Sequence, residues 1–396
     1  MSAGRVLHPR AVLGPDLPEV PFGHPLRAEF SDWLRSNGPT GEDPLEQDAK
    51  FFHRREWQRA LAAGGWGGVG WPVQYGGRGA GPLEKFMIYE EMALGGVPEP
   101  TNTPGILLLG PTLMAIGTQE LCDRFLRPIL FADEIWAQCF SEPDSGSDLA
   151  SLRTKARLEG DEWVIDGSKT WSTFAQYADL LFVLCRTDPA SEKHRGLSLL
   201  VCPVDQPGVT IRPIGQISGD AEFCEVFFDG ARTPASWVVG EVHQGWAASM
   251  VLLAFERADQ GFTDHARILV TLHEARGVPA DRADELDPVD RAALRRRWAL
   301  LWTRAQELRQ LNLRMALMES ADVDCGSLGS VTNLIWAELY KDVHEFCAER
   351  AGGSAAVAAD TRLAHHRLHA RATSIYSGTS EIQRNVISER LVGLPR

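Results

Sequence analysis

Residues 138–156 read QCFSEPDSGSDLASLRTKA. Ser141, Ser145 and Ser147 alternate with Gly146 in the pattern of a tight turn, offering hydroxyls and open backbone N–H groups. Such a surface suits a diphosphate or the polar edge of a ring. A Ser-rich turn of no special function has the same composition, so the neighbouring sequence decides between them. Just downstream, WVIDG (163–167) reads as a strand and runs into GSKTWST (167–173). Trp171-Ser172-Thr173 there sets an aromatic plane beside a hydroxyl donor. An aromatic plane can stack on a flat ring and a hydroxyl can donate to its edge. A core Trp next to a surface Thr is the plain alternative.

Outward from this segment the texture changes twice. On the N-terminal side, residues 1–25 are rich in Pro and Gly and read as extended. From Pro25 to about Ala63 apolar residues recur at helical spacing: Phe30, Trp33, Leu34, then Phe51, Phe52, Trp57 and Leu61. A Gly-rich stretch covers 64–82, and helical pattern resumes over 84–94, 105–117 and 119–133. Between 135 and 242 short runs such as DLLFVLCRT, LSLLVCPV, VTIRPI and CEVFFDG alternate with Gly, Pro and Asp turns, and are rich in β-branched and aromatic residues. From Gly245 onward the helical pattern returns over 245–276, 288–320, 330–350, 360–376 and about 380–391, with a loop at 277–288. No internal repeat or low-complexity tract interrupts the chain. The expected fold is α+β and multidomain: an N-terminal helical domain (1–134), a middle antiparallel β domain (135–242) and a C-terminal four-helix bundle (243–396).

The chain has 396 residues and a net charge of −13, with 44% hydrophobic and 23% charged residues. That length suits two or three packed layers or subdomains. The acidic balance argues against a nucleic-acid binder, which would carry a basic stripe. A polyphosphate ligand stays open, since local Arg residues bind phosphate on acidic proteins. Seven scattered cysteines without a Cys-x-x-Cys pair indicate neither a zinc site nor a disulfide framework. No stretch has the length of a membrane span, and the N-terminal residues lack the apolar core of an export signal. A cytoplasmic protein, with no membrane and no metal, is the expectation.

Two further motifs have plain readings. Residues 65–70, GWGGVG, match G-x-G-x-x-G. A dinucleotide site needs a strand before that run and a helix opening on it. Here a helix precedes it and Trp-Pro follows, so an interhelical loop is expected. His365, His366 and His369 cluster at helical spacing, but no acid in the pattern of a zinc hydrolase accompanies them. A solvated or interface face is the expectation.

The run at 138–156, GSKTWST at 167–173 and IYSGTSEIQRN at 375–385 together resemble the acyl-CoA dehydrogenase family. WPVQYGGRG (71–79), FCEVFFDGARTPASWVVGEVHQGW (223–246) and the ending ISERLVGLPR have the same look, so the resemblance spans nearly the whole chain. It implies an FAD flavoprotein. Cofactor contacts then fall at Gln138, Phe140, Ser141, Gly146, Ser147, Trp171, Ser172, Thr173, Thr379 and Glu381. Ser141 would hydrogen-bond the flavin, and Ser147 would meet the pyrophosphate or the CoA moiety. Trp171 would pack on the flavin, with the Thr173 hydroxyl near N5. Substrate contacts fall at Ser147, Arg257, Tyr376, Ser377 and Gly378.

The family reaction removes an α-proton from an acyl thioester while hydride leaves the β-carbon for flavin N5. Many members carry Glu at the position of Ser377, but Ser has no useful basicity near neutral pH. Other members place the base in a Glu-Arg pair on the first long helix of the C-terminal bundle, and LLAFERADQG (251–260) puts Glu256 there. Glu256 is the expected catalytic base, with Arg257 as a partner or substrate contact. Desolvation raises a carboxylate pKa towards that task. A surface Glu beside an Arg is the plain alternative.

The family's cross-subunit FAD grips, Arg-x-x-Phe-Gly and Gln-x-x-Gly-Gly-x-Gly, are not intact in EARGVPADRAD (274–284) or ERAGGSAAVAAD (349–360). Arg276 is the substitute for the first, and Gly352-Gly353 a fragment of the second. The expected activity is FAD-dependent oxidation of an acyl-CoA or acyl-carrier-protein thioester to its α,β-unsaturated product. An electron-transferring flavoprotein would take the electrons. A homodimer or homotetramer is the default assembly. Two alternatives stay open: a flavin monooxygenase on the same fold, and one subunit of a hetero-oligomer whose partner supplies the adenine grip.

Overall fold

The computed structural model describes residues 24–259, 261–277, 286–352 and 362–395; the side chains of 256–259, 261 and 262 lie outside the description. Backbone contacts divide the chain into two units. One comprises 46–79 and 99–256, the other 1–45, 80–98 and 257–396.

The first unit is built on a sheet. Its strands are β1 (Trp136–Cys139), β2 (Lys155–Glu159), β3 (Glu162–Thr173), β4 (Leu180–Arg186), β5 (Leu197–Pro203), β6 (Val209–Ile214), β7 (Phe223–Pro234) and β8 (Val238–Val239). They run in the order β6-β7-β3-β2-β4-β5-β8, with β1 paired to β4. The pairing is antiparallel except that β1 lies parallel to β4 and β2 meets β4 at one parallel pair, Lys155 with Arg186. The sequence of β4, LLFVLCR, explains its central place. Leu180, Phe182 and Leu184 enter one core and Leu181, Val183 and Cys185 a second, so both faces are covered.

The first core is closed by the helix Gln119–Leu130, whose Leu121, Cys122, Phe125, Leu126, Ile129 and Leu130 are all buried. Phe125 stands edge-on to Trp136 at 5.0 Å, a favoured aromatic geometry. The second core gathers inward residues of β3 and β7, among them Ile165, Val226 and Phe228, against those of β4 and β5, so the sheet curls on itself. GWGGVG is a turn after the helix Gln47–Ala63, with Gly65 at φ 74°, as an interhelical loop requires. The expected helix over 105–117 is irregular at its start. Pro111 cannot donate to the carbonyl one turn back, and the Gly110 N–H bonds Gly105 O in a wide turn before the regular helix Gly110–Ile116.

The second unit is helical: Pro25–Asn37, Pro82–Leu94, Gly261–Glu274, Pro288–Ser320, Leu328–Ala351, Arg362–His369 and Ser380–Val386. Its apolar core includes Leu94, Leu269, Leu272, Leu301, Leu308, Leu339, Val343 and Phe346. Within the segment expected as a helix over 245–276, the described residues are helical over Gly245–Asp259 and Gly261–Glu274. That expected over 360–376 closes at His369 and continues as a short turn, Ala372–Ser374.

At the centre of this unit lies a buried charge cluster. Glu90 is fully buried and accepts from Arg309 Nε at 2.5 Å, Arg309 Nη2 at 3.2 Å and Arg27 Nη1 at 2.8 Å. Arg27 Nε also donates to Glu91 at 2.9 Å. His265 Nδ1 accepts from Asn312 Nδ2 at 3.2 Å, which leaves Nε2 as the donor to Glu90 at 3.1 Å. The His265 ring also stacks on Phe86. Burial works to raise the Glu90 pKa, but the His265 hydrogen bond and the charges of Arg309 and Arg27 outweigh it and hold it far below the usual carboxylate range. His365, His366 and His369 are half-buried, and His366 stacks on the buried His344, so they form part of an aromatic cluster on a partly covered face.

Candidate active site

The two runs that opened the sequence reading are brought together in the sheet unit. The Thr170 amide donates to Ser141 O at 2.9 Å, just beyond β1. Cys139 Sγ lies 3.3 Å from Ser172 Oγ, joining β1 to β3. Burial pushes the Cys139 thiol up to about 12, so it acts as a packing group and not as a nucleophile. Gln138 is half-buried, and its backbone pairs with Phe182. Phe140 packs its side chain into the first core, edge-on to Phe182 at 6.1 Å. Ser172 is likewise fully buried and committed to Cys139.

β3 carries a bulge where it passes this point. Lys169 pairs with Val226 and Ser172 with Cys224, three steps along β3 against two along β7. The extra residue puts Trp171 at φ 63°, a left-handed conformation rare for an aromatic side chain. It also turns the indole outward: Trp171 is 57% exposed, against Phe223 edge-on at 6.1 Å. Strain of this kind costs about 1–3 kcal/mol and persists where the surroundings over-determine it.

Behind the bulge is a buried ion pair absent from the expected site. Lys169 is fully buried, and its Nζ donates to Glu142 Oε1 and to Phe140 O, both at 2.9 Å. Glu142 also accepts from the amides of Arg153 at 2.7 Å and Thr154 at 2.8 Å. Burial works against its charge, but Lys169 and those hydrogen bonds outweigh burial and hold its carboxyl below the ordinary range.

The turn itself is closed by paired backbone bonds between Glu142 and Ser145. Ser145 is buried and spends its hydroxyl on Asp148 O at 2.7 Å and Ser151 Oγ at 3.0 Å, so it builds the turn. Gly146 and Ser147 are exposed, and a Cβ at Gly146 would meet nothing within 4 Å. Among the described residues no hydrogen bond engages the side chains of Ser141, Ser147 or Thr173. A cleft of about 310 Å³ opens beside the turn, with Glu142, Asp144, Ser145, Arg153, Lys155 and Asp166 among its lining residues.

The remaining expected residues lie in the helical unit or at its boundary. Ser377 and Gly378 have φ 53° and 88°, and buried Gln383 donates to the carbonyls of both, at 2.9 and 3.3 Å. Tyr376 packs near Trp336 and His369. Thr379 caps the helix Ser380–Val386 by accepting from the Ile382 amide at 3.2 Å, and Glu381 is exposed in its first turn, 3.7 Å from Arg384. Arg276 is exposed, with its guanidinium 5.9 Å from the Trp298 ring centre. Glu256 is on the helix Gly245–Asp259, but its side chain and that of Arg257 lie outside the described residues, as does Gly353. Among the described residues no group of three or more His, Cys, Asp or Glu side chains could hold a metal, and no helix is long and apolar enough to cross a membrane.

Three family descriptions match this chain in order: the acyl-CoA dehydrogenase N-terminal domain over 24–132, the middle domain over 137–231 and the C-terminal domain over 243–392. The chain belongs to the acyl-CoA dehydrogenase family. The helical, sheet and helical segments described above are the three domains of that family of FAD-dependent oxidoreductases. The acyl-CoA dehydrogenase IpdE1 of Mycobacterium tuberculosis is 40% identical over 94% of this chain and 97% of its own. Among solved structures, the Tcur3481-Tcur3483 steroid ACAD matches 99% of this chain and 100% of its own with a TM-score of 0.80 at 28% identity. The ChsE4-ChsE5 complex of Mycobacterium tuberculosis matches 94% and 97%, also with a TM-score of 0.80 at 28% identity.

Proposed function

We propose that this acyl-CoA dehydrogenase is an FAD enzyme that oxidises an acyl thioester to its α,β-unsaturated thioester, with Glu256 as the base. The observation that carries the reading is the platform at the ends of β1 and β3. A bulge displays the Trp171 indole to solvent, while Ser141, Thr173 and the open backbone at Gly146 leave hydrogen-bonding groups uncommitted. These groups fit a flavin ring and a diphosphate: the indole gives a stacking face, the hydroxyls donate to ring heteroatoms, and the exposed turn at Gly146 and Ser147 offers amides to phosphate oxygens. FAD, when bound, supplies a two-electron acceptor for the hydride that leaves Cβ. Glu256 takes the proton from Cα, so that the C–H bonding pair at Cα becomes the new C=C bond as the Cβ hydride departs. Trp171 excludes water from one side, and Ser141 and Thr173 orient the ring through hydrogen bonds. Re-oxidation by an electron-transferring flavoprotein completes the cycle.

A second reading concerns assembly. Neither family motif that grips FAD across a subunit interface is intact in this chain, and two similar solved structures, the Tcur3481-Tcur3483 steroid ACAD and the ChsE4-ChsE5 complex, are named for two different chains. We infer that this chain works beside a related but different subunit, and that its substrate is a bulky, ring-bearing acyl thioester.

Anaerobic titration of the flavin-loaded protein, co-purified with any partner subunit that flavin uptake needs, with a panel of acyl-CoAs, with and without Glu256→Gln, tests the chemistry. Loss of visible flavin absorbance that disappears in the variant supports it. Bleaching that survives the substitution removes Glu256 as the base, and a yellow protein inert to every thioester overturns the dehydrogenase reading. For the assembly, the expected result is a colourless isolated chain that gains flavin on co-expression with its partner. A flavin-saturated homo-oligomer refutes it.

A further inference from the structure

We infer that Glu142 and Lys169 are a positioning pair for the cofactor platform, setting the spacing between Ser141 and the Trp171–Thr173 segment. This rests on the flavin reading of those residues.

The pair sits where no stability argument needs a charge. Lys169 is fully buried on β3 and Glu142 is 8% exposed just beyond β1. A buried ion pair rarely gains stability over an apolar pair of the same shape, so its use is to specify geometry. The geometry it specifies is local. Lys169 is the last β3 residue in register with β7 before the bulge, so a tie at Lys169 fixes where the bulge begins. Its second bond, to Phe140 O, reaches the residue directly before Ser141. Glu142 is the residue directly after Ser141, and its two amide bonds tie it to the chain entering β2. Ser141 is therefore bracketed on both sides by atoms bonded to Lys169, and its own carbonyl takes the Thr170 amide. Two residues along the same strand stands Trp171. One ammonium group thus holds the two ligand-facing segments in register, and the uncommitted hydroxyls of Ser141 and Thr173 inherit their separation from it.

The experiment uses the full chain, purified with whatever subunit accompanies the wild type, and compares Glu142→Gln, Lys169→Met and Lys169→Arg. FAD affinity, the visible circular dichroism of bound flavin and the thermal midpoint of the cofactor-free protein are measured for each. Glu142→Gln keeps the shape and one carbonyl acceptor but removes the charge. It is expected to weaken FAD binding by about tenfold or more, the scale seen when supporting groups of a bound centre are lost. It should also alter the flavin dichroism, with a smaller change in the cofactor-free midpoint. Lys169→Arg, which keeps the charge, is expected to recover part of both signals relative to Lys169→Met. If the wild type takes up no FAD under any condition, the flavin reading fails and this inference falls with it. If the wild type binds FAD and Glu142→Gln binds it with unchanged affinity and dichroism, the inference fails alone. Should Lys169→Met not fold, Glu142→Gln decides the question by itself.

Discussion

Replacing Glu90 by Gln in the full chain removes one negative charge from the centre of the helical unit without changing its shape. The carboxylate takes two N–H groups of Arg309 and one of Arg27, and it receives the His265 Nε2 proton. A neutral amide keeps one acceptor oxygen and presents an NH₂ group to guanidinium donors. Breaking one partner of a buried ion pair costs about 3–5 kcal/mol, because the charges left behind stay desolvated. At about 2–4 °C per kcal/mol for a unit of this size, the thermal midpoint should fall by about 6–20 °C. Burying both charges was not itself stabilising. Glu90→Leu with Arg309→Met should therefore recover stability relative to Glu90→Gln, and a double-mutant cycle reads that coupling. The pH dependence has a definite sign. The folded-state pKa of Glu90 is depressed, so its contribution is complete above the unfolded carboxylate value of about 4.3 and is lost as pH falls towards the lowered folded value. The gap between wild type and Glu90→Gln should be flat from pH 5 to about 8 and narrow only below about pH 4. Circular dichroism melts across that range measure it. A variant within about 0.5 kcal/mol of wild type, or a cycle that is purely additive, would refute the assignment of this cluster as a coupled network.

Two other substitutions separate holding the fold from holding the ligand. Trp171→Gly relieves a left-handed backbone and removes a mostly exposed side chain, so the cofactor-free midpoint should hold or rise slightly. FAD affinity should fall by about three- to tenfold through lost stacking; flavin titration beside thermal melting checks both, and a large loss of stability with intact binding would count against the platform. Gln383→Ala strips the donor from two carbonyls in the 377–378 turn and should cost about 1–3 kcal/mol, read by urea titration. Gln383→Glu should be worse than Gln383→Ala at neutral pH, since a carboxylate there faces acceptors.

The three-segment layout was legible because the period of the apolar pattern changes from helical to strand and back, and β4 reads as a continuous apolar run. The irregular start of the helix before Gly110 was not, since it depends on the donor that Pro111 lacks. Of the residues proposed for the site, Ser141, Gly146, Trp171 and Thr173 stand out in the sequence because their pattern of residue types suggests the chemistry, whereas Ser172 is buried against Cys139. The ion pair behind them was not legible. Its members stand 27 residues apart, and a Lys on a strand reads as solvated until a carboxylate from another segment is found beneath it. The Glu90 cluster was hidden for the same reason at longer range, since Arg309 lies 219 residues away and a Glu-Glu pair on a helix reads as an outer face.

The signature turn bears on where the base can be. Ser377 and Gly378 both hold positive φ, and the parts that enforce this are the Gln383 amide on their carbonyls and the Thr379 cap on the helix behind them. None of those interactions uses the side chain at 377. The turn is built by its neighbours, so the residue there can be Glu or Ser without refolding the loop. A Glu at 377 and the base we propose, Glu256 on the helix Gly245–Asp259, can therefore be exchanged by substitution to test whether they serve the same carbon. A Ser377→Glu variant should therefore fold like the wild type and, in a Glu256→Gln background, restore part of the lost flavin bleaching by acyl thioester. Restoration with no change in thermal midpoint would place both positions at one reacting carbon; a folded double variant with no recovery would break that link.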